Sequence, residues 1–206
     1  MGKSNRETEI IQYLQNSMKK YFNDSCQLIQ AEIEVHGIDV WNELKSAIDE
    51  VLISVRKEQE KNQKNDIQYL AFGFLISSLC MDKLEFRIDA FDDSFYLDKK
   101  ETASSYIPEF LQSLYQNDLS QLYIEAGRKF VRMQEIEQFS IKKYYACYYE
   151  AVIYRMLENL SRLIMQHIVE RGIGMTDDFK IICGKFMDKA VGLYTKEKKE
   201  HEIFSD

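Results

Sequence analysis

Turn-forming residues are scarce: one proline and eight glycines in 206 residues. That shortage argues against many short strands joined by tight turns and favours a few long elements. Histidine is rarer still, with three copies, and neither HExxH nor Glu-x-x-His occurs, so zinc and di-iron bundle chemistry have no ligand pattern to rest on. The four cysteines, Cys26, Cys80, Cys147 and Cys183, form no CxxC pair and read as separate reduced thiols in apolar helical surroundings. A G-x-S-x-G elbow, a GxxxxGK[ST] loop and GxGxxG are all missing. "RGIGM" has two glycines but follows a helical pattern where a dinucleotide loop needs a strand.

No apolar run is long enough to cross a bilayer. The longest, Tyr69 to Met81, would span about 20 Å as a helix, against a hydrocarbon core of roughly 30 Å. The opening "MGKSNRETEIIQYL" lacks the continuous apolar stretch of a secretory leader and the Ser or Thr at position 6 that myristoylation wants, which leaves the cytoplasm as the expected location. A net charge of -7 and a pI near 5.2 disfavour nucleic acid and anionic lipid as partners. A helix-turn-helix reading of the first sixty residues fails as well, because its recognition helix would carry Glu43, Asp49 and Glu50 against phosphates.

What the chain does have is periodicity. Apolar residues recur every three or four positions from Glu7 to about Val35, and Gly37 is placed to end that helix. Asp39 is placed to cap a second helix with the stripe Trp41, Leu44, Ile48, Val51, Leu52 and Val55, giving an antiparallel pair. Residues 56–66 read as a solvated connection and Ile67 to about Asp82 as the most apolar, central helix. A helix follows Pro108, another runs through Leu119 to Val131, and the longest extends from about Ser140 to Arg171. A last one uses Phe179, Ile182, Phe186, Val191 and Tyr194 before the charged tail 196–206. The expected fold is mainly α: one domain, 1–206, built as a bundle of six to seven helices with a short β-hairpin near residues 84–98. In that stretch alternation of Leu84, Phe86, Ile88 and Ala90 competes with the helical spacing of Leu84, Ile88, Phe91 and Phe95.

Two groups of residues stand out as functional candidates. Asp89, Asp92, Asp93, Tyr96 and Asp98 form an acidic and aromatic edge. It fails as a calcium loop, since a start at Asp89 puts Ser94 where glycine is wanted and Lys100 where glutamate is wanted. Such an edge suits docking to a basic protein, with carboxylates steering the encounter. Tyr144, Tyr145, Tyr148 and Tyr149 crowd onto one helix, either as core or as a groove for an apolar ligand. The sequence therefore predicts a cytosolic helical protein-binding module, of the kind a small acidic inhibitor or immunity-type protein would be, acting on a basic partner. The alternative is a helical sensor or enzyme domain with an aromatic-lined pocket. No catalytic residue, metal ligand or cofactor is expected, and the broad apolar face of the longest helix also suits a homodimer.

Overall fold

The computed structural model describes residues 3–98 and 100–196, with side chains throughout except at 3–5 and 96. It overturns the all-helical expectation. Three long helices, α1 (Lys3–Glu60), α2 (Glu109–Lys129) and α3 (Glu135–Glu170), accompany a five-stranded mixed sheet. The strands are β1 (Ile67–Phe74), β2 (Phe86–Phe91), β3 (Ala103–Tyr106), β4 (Met175–Lys185) and β5 (Ala190–Thr195), in the order β3-β2-β1-β4-β5. Only β1 and β4 run parallel; the other neighbours are antiparallel. Among the described residues no helix is long and apolar enough to cross a membrane.

Each correction has a local cause. The run expected as the central helix is β1 followed by a 3-10 helix, Ile76–Met81. Leu70, Phe72 and Phe74 of β1 are buried while Ala71 and Gly73 are half-buried, so both faces are apolar and the alternation is hidden in a continuous run. The expected last helix is the β4–β5 hairpin, whose buried residues Phe179, Ile181 and Cys183 lie two apart. It turns at Met187, a residue in the left-handed region (φ 59°). Near residue 88 the strand reading is right but its partners were not: β2 pairs with β1 and β3, and residues 95–97 form a 3-10 helix.

The expected antiparallel pair at the N-terminus is instead one helix, α1, about 87 Å long at 1.5 Å per residue. The break foreseen at Gly37 is reduced to a kink at His36 (φ -119°, ψ 19°), after which the chain continues forward. Likewise the two helices expected after Pro108 and from Leu119 are one, α2, which runs unbroken through Asn117 and Asp118. Residues 56–60 are the last turn of α1, and Lys64 in the following turn is buried. The tail expected at 196–206 lies, beyond Lys196, outside the described residues.

α1 packs at its two ends and not between. Ile10, Leu14, Met18 and Ile29 are buried against α2 and α3, and Val40, Leu44, Ile48, Val51, Leu52 and Val55 against the sheet and the end of α3. Ile33, Val35 and Ile38, in between, are exposed. Asp118 fastens the first end. Fully enclosed between three helices, it accepts hydrogen bonds from Ser25 Oγ (2.8 Å), Tyr145 Oη (2.5 Å) and Tyr149 Oη (2.8 Å). Burial and the bond to Asp118 hold the Tyr145 hydroxyl above the usual phenol range, so it stays a donor.

Asp49 fastens the second end. Its carboxylate takes both arms of the Arg171 guanidinium (2.7 and 2.6 Å) and meets His167 Nε2 at 2.6 Å. Burial works against that charge, but the bonds from Arg171 and His167 outweigh it and hold the Asp49 pKa below the ordinary value. An ionised carboxylate only accepts, so the imidazole proton sits on Nε2.

Removing the shared acceptor in the first fastening strands three buried hydroxyls at once. Asp118→Ala is expected to destabilise the fold by about 3 kcal/mol, against about 1 kcal/mol for Ser25→Ala, which removes one donor. Urea unfolding of the two variants checks this; equal losses would mean that the carboxylate is not the hub.

Candidate functional site

The acidic edge proves to be largely inward-facing. Asp89 on β2 is buried, and both its carboxylate oxygens accept from Arg87 Nε at 2.9 Å. Burial raises its pKa and Arg87 pulls it back. Arg87 also pairs with Glu101 and lies 5.2 Å from the centre of the Phe186 ring. Asp92 is buried and makes an Asx turn, accepting from Ser94 N at 2.9 Å, with Asn65 Nδ2 at 3.3 Å. Asp98 pairs with buried Lys64 and accepts from the backbone N–H groups of Asp92 (3.1 Å) and Lys100 (2.9 Å). Asp93 alone of the four acids is exposed, and the Tyr96 side chain lies outside the described residues. Asp92 and Asp98 close the loop after β2, while Asp89 pairs along its own strand.

The tyrosines do not share a cavity. Tyr145 and Tyr149 are buried on Asp118, and Tyr115 packs on both rings at 6.1 and 5.4 Å. Tyr148 is half-buried with its ring 5.0 Å from that of Phe22, and Tyr144 is exposed on the wall of a pocket of about 470 Å³ that it shares with Glu7, Ile11 and Ser140.

A more apolar pocket lies one turn further along α3. Cys147, Glu150, Ala151 and Tyr154 recur at three- and four-residue spacing and so share a stripe. That stripe faces Phe74 of β1, Phe86 of β2, Cys183, Gly184 and Lys185 of β4, and Val191 of β5 across a pocket of about 340 Å³. The size is that of small-ligand pockets. Gly184 allows its floor to close: a Cβ there would sit 2.3 Å from the Lys189 carbonyl oxygen. Cys147 and Ala151 are exposed at the mouth, while Phe74, Phe86 and Cys183 are buried at the base.

Glu150 is the unusual member. Its side chain is partly buried in this apolar lining, yet among the described residues it makes no hydrogen bond or ion pair. Burial raises its pKa, opposed by the charge of Lys185. Burial also pushes the Cys183 thiol up to about 12, so it stays neutral and weakly nucleophilic. No three His, Cys, Asp or Glu side chains among the described residues are arranged to hold a metal ion. Comparison with family models, with curated proteins and with solved structures found no match.

The helix that carries half of this pocket was legible in the sequence, but the residues expected to line a pocket were its tyrosines Tyr144, Tyr145, Tyr148 and Tyr149, none of which lines this one. The other half was not legible, because it depends on β1 and β4 being strands. An ionised Glu150 is penalised in the folded state, where its pKa stands above the unfolded value. The folded state then holds more protons between the two values, so stability falls as pH rises through that window and no penalty exists below it. Glu150→Gln should therefore raise Tm by about 2 °C at neutral pH and leave it unchanged near pH 4. Equal gains at both pH values in a thermal melt would show that the ionised carboxyl is not responsible.

Proposed function

We propose that the chain is a binding protein for a small, mostly apolar molecule carrying one hydrogen-bond-donor head, an amine or a hydroxyl. The observation that carries this reading is Glu150: a half-buried carboxyl on a mostly apolar pocket wall that accepts no hydrogen bond among the described residues, with Lys185 and Lys189 on the same lining but not paired to it. Partial burial of an acid is unfavourable, and a ligand that supplies a donor relieves it. Phe74, Phe86, Tyr154 and Val191 offer the apolar body its contacts, and Lys185 lies beside the head. A reducing compartment, the cytoplasm, is in keeping with four free cysteines of which Cys80 and Cys147 are exposed. This is the pocket reading of the sequence moved from the tyrosines to the next face of the same helix.

Thermal shift with medium-chain alkyl amines, alcohols and carboxylates tests it. A ligand at about 100 times its Kd adds about 2.7 kcal/mol, which for a chain of this length is roughly 5–10 °C in Tm. The shift should be largest for amines or alcohols. It should vanish in Ala151→Phe, which fills the mouth from an exposed position without touching the core. Should no compound raise Tm more in the wild type than in that variant, the reading falls.

A further inference from the structure

A second cleft lies at the opposite edge of the sheet, where the second half of α1 crosses β3 and the start of α2. Its walls are Glu43, Ser46, Ala47 and Glu50 of α1, Ser105 and Tyr106 at the end of β3, and Ile107 and Glu109 leading into α2, around a space of about 400 Å³. The α1 members are again spaced three and four apart. No lysine or arginine lines it. Burial, and then the charges of Glu109 and Asp39, raise the Glu43 pKa above its ordinary value.

Like charges left together are not by themselves a site. Here an independent feature sits beneath them. Tyr106 is 4% exposed, and its hydroxyl is buried with no hydrogen-bond partner. Its direction follows from the strand: Ser104, two residues earlier and on the same side of β3, donates its hydroxyl to the Ala47 carbonyl of α1 at 2.7 Å. Tyr106 therefore points at α1, where the charge of Glu43 reaches it. A buried hydroxyl left unsatisfied is unfavourable in the free protein and becomes favourable once a ligand donates to it.

The chemistry selects the occupant. The carboxylates do not converge as a metal site requires. A guanidinium has five donors in a planar fork, enough to bridge two separated carboxylates and still reach the Tyr106 oxygen, while its aliphatic stem lies on Ala47 and Ile107. An ammonium is a point charge and spans less. The cleft is open and sits on a chain of net charge -7, which steers a basic macromolecule toward it. We infer that the cleft between α1 and β3 is a docking site for an arginine side chain presented by a basic protein partner. The proposal is separate from the ligand pocket, which shares none of these residues and lies toward β5.

Isothermal titration of the full chain with acetyl-Arg-Gly-Arg-amide tests it, alongside the matching dilysine peptide and spermidine. Glu43→Gln with Glu109→Gln should weaken the diarginine peptide about tenfold. Glu32→Gln with Glu34→Gln removes the same charge from a stretch of α1 away from the cleft and should change binding less than about twofold. Tyr106→Phe should weaken binding about fivefold without lowering Tm, since it removes an unsatisfied hydroxyl and no contact. If the two double variants weaken binding equally, the attraction is bulk charge and the proposal fails. It fails too if dilysine or spermidine binds as tightly as diarginine, or if Tyr106→Phe binds unchanged. No measurable heat with the wild type overturns it outright.

Discussion

A helix of 58 residues cannot hold itself together by backbone hydrogen bonds alone; it persists in a fold when an apolar stripe is buried against something else. In α1 that burial is split. One stripe ends near Ile29, the next begins at Val40, and the two face different partners: paired helices first, a sheet and the end of α3 second. The kink at His36 falls in the exposed gap, where a change in direction disturbs no packed contact. Each end is fastened by an aspartate that gathers donors from elsewhere in the chain, Asp118 from Ser25 and two tyrosines, Asp49 from His167 and Arg171. These acids add little net energy of their own, but their geometry admits one arrangement of the helices and leaves buried donors stranded in any other.

The same economy governs the negative charge. The chain carries 34 acidic residues against 27 basic ones, which makes any acidic cluster in the sequence look like a surface for a basic partner. Position in the fold separates the clusters. Asp89, Asp92 and Asp98 sit where β2 enters a tight connection, and there Arg87, Lys64 and backbone N–H groups absorb them. Glu43, Glu50 and Glu109 stand on the outer side of α1 and at the head of α2, with no base among the cleft's lining residues. Charge excess is a whole-chain property; availability is local.

How far the residues could be read in advance follows from what each pattern encodes. The three- and four-residue spacing in α1, α2 and α3 was legible because one side of each helix is polar. The strands were not. β1 has apolar residues on both faces, and Gly73 and Gly184 face each other in the β1–β4 register, so neither strand shows clean alternation. β4 also lies a hundred residues from its parallel partner, and nothing local marks that pairing. In β2, where polar Arg87 and Asp89 alternate with Phe86, Ile88 and Ala90, the strand was visible, though its neighbours were not.

That failure has a direct bearing on why no functional motif could be found. A linear motif exists when one turn or one helix supplies most of the reacting or binding groups. The pocket takes one residue from each of β1, β2 and β5, three from β4, two from the β4–β5 turn and four from α3, spread from Phe74 to Val191; the cleft takes its members from α1, the end of β3 and the head of α2. Sites assembled in this way appear in sequence only as isolated glutamates and aromatics, each with an ordinary local explanation. Their physical signature emerges in the fold: a half-buried carboxyl at Glu150 that accepts no hydrogen bond among the described residues, and a buried hydroxyl at Tyr106 without the partner that burial normally demands. The scarcity of motifs in the chain thus reflects how its sheet and helices gather residues, and carries no weight against a binding role.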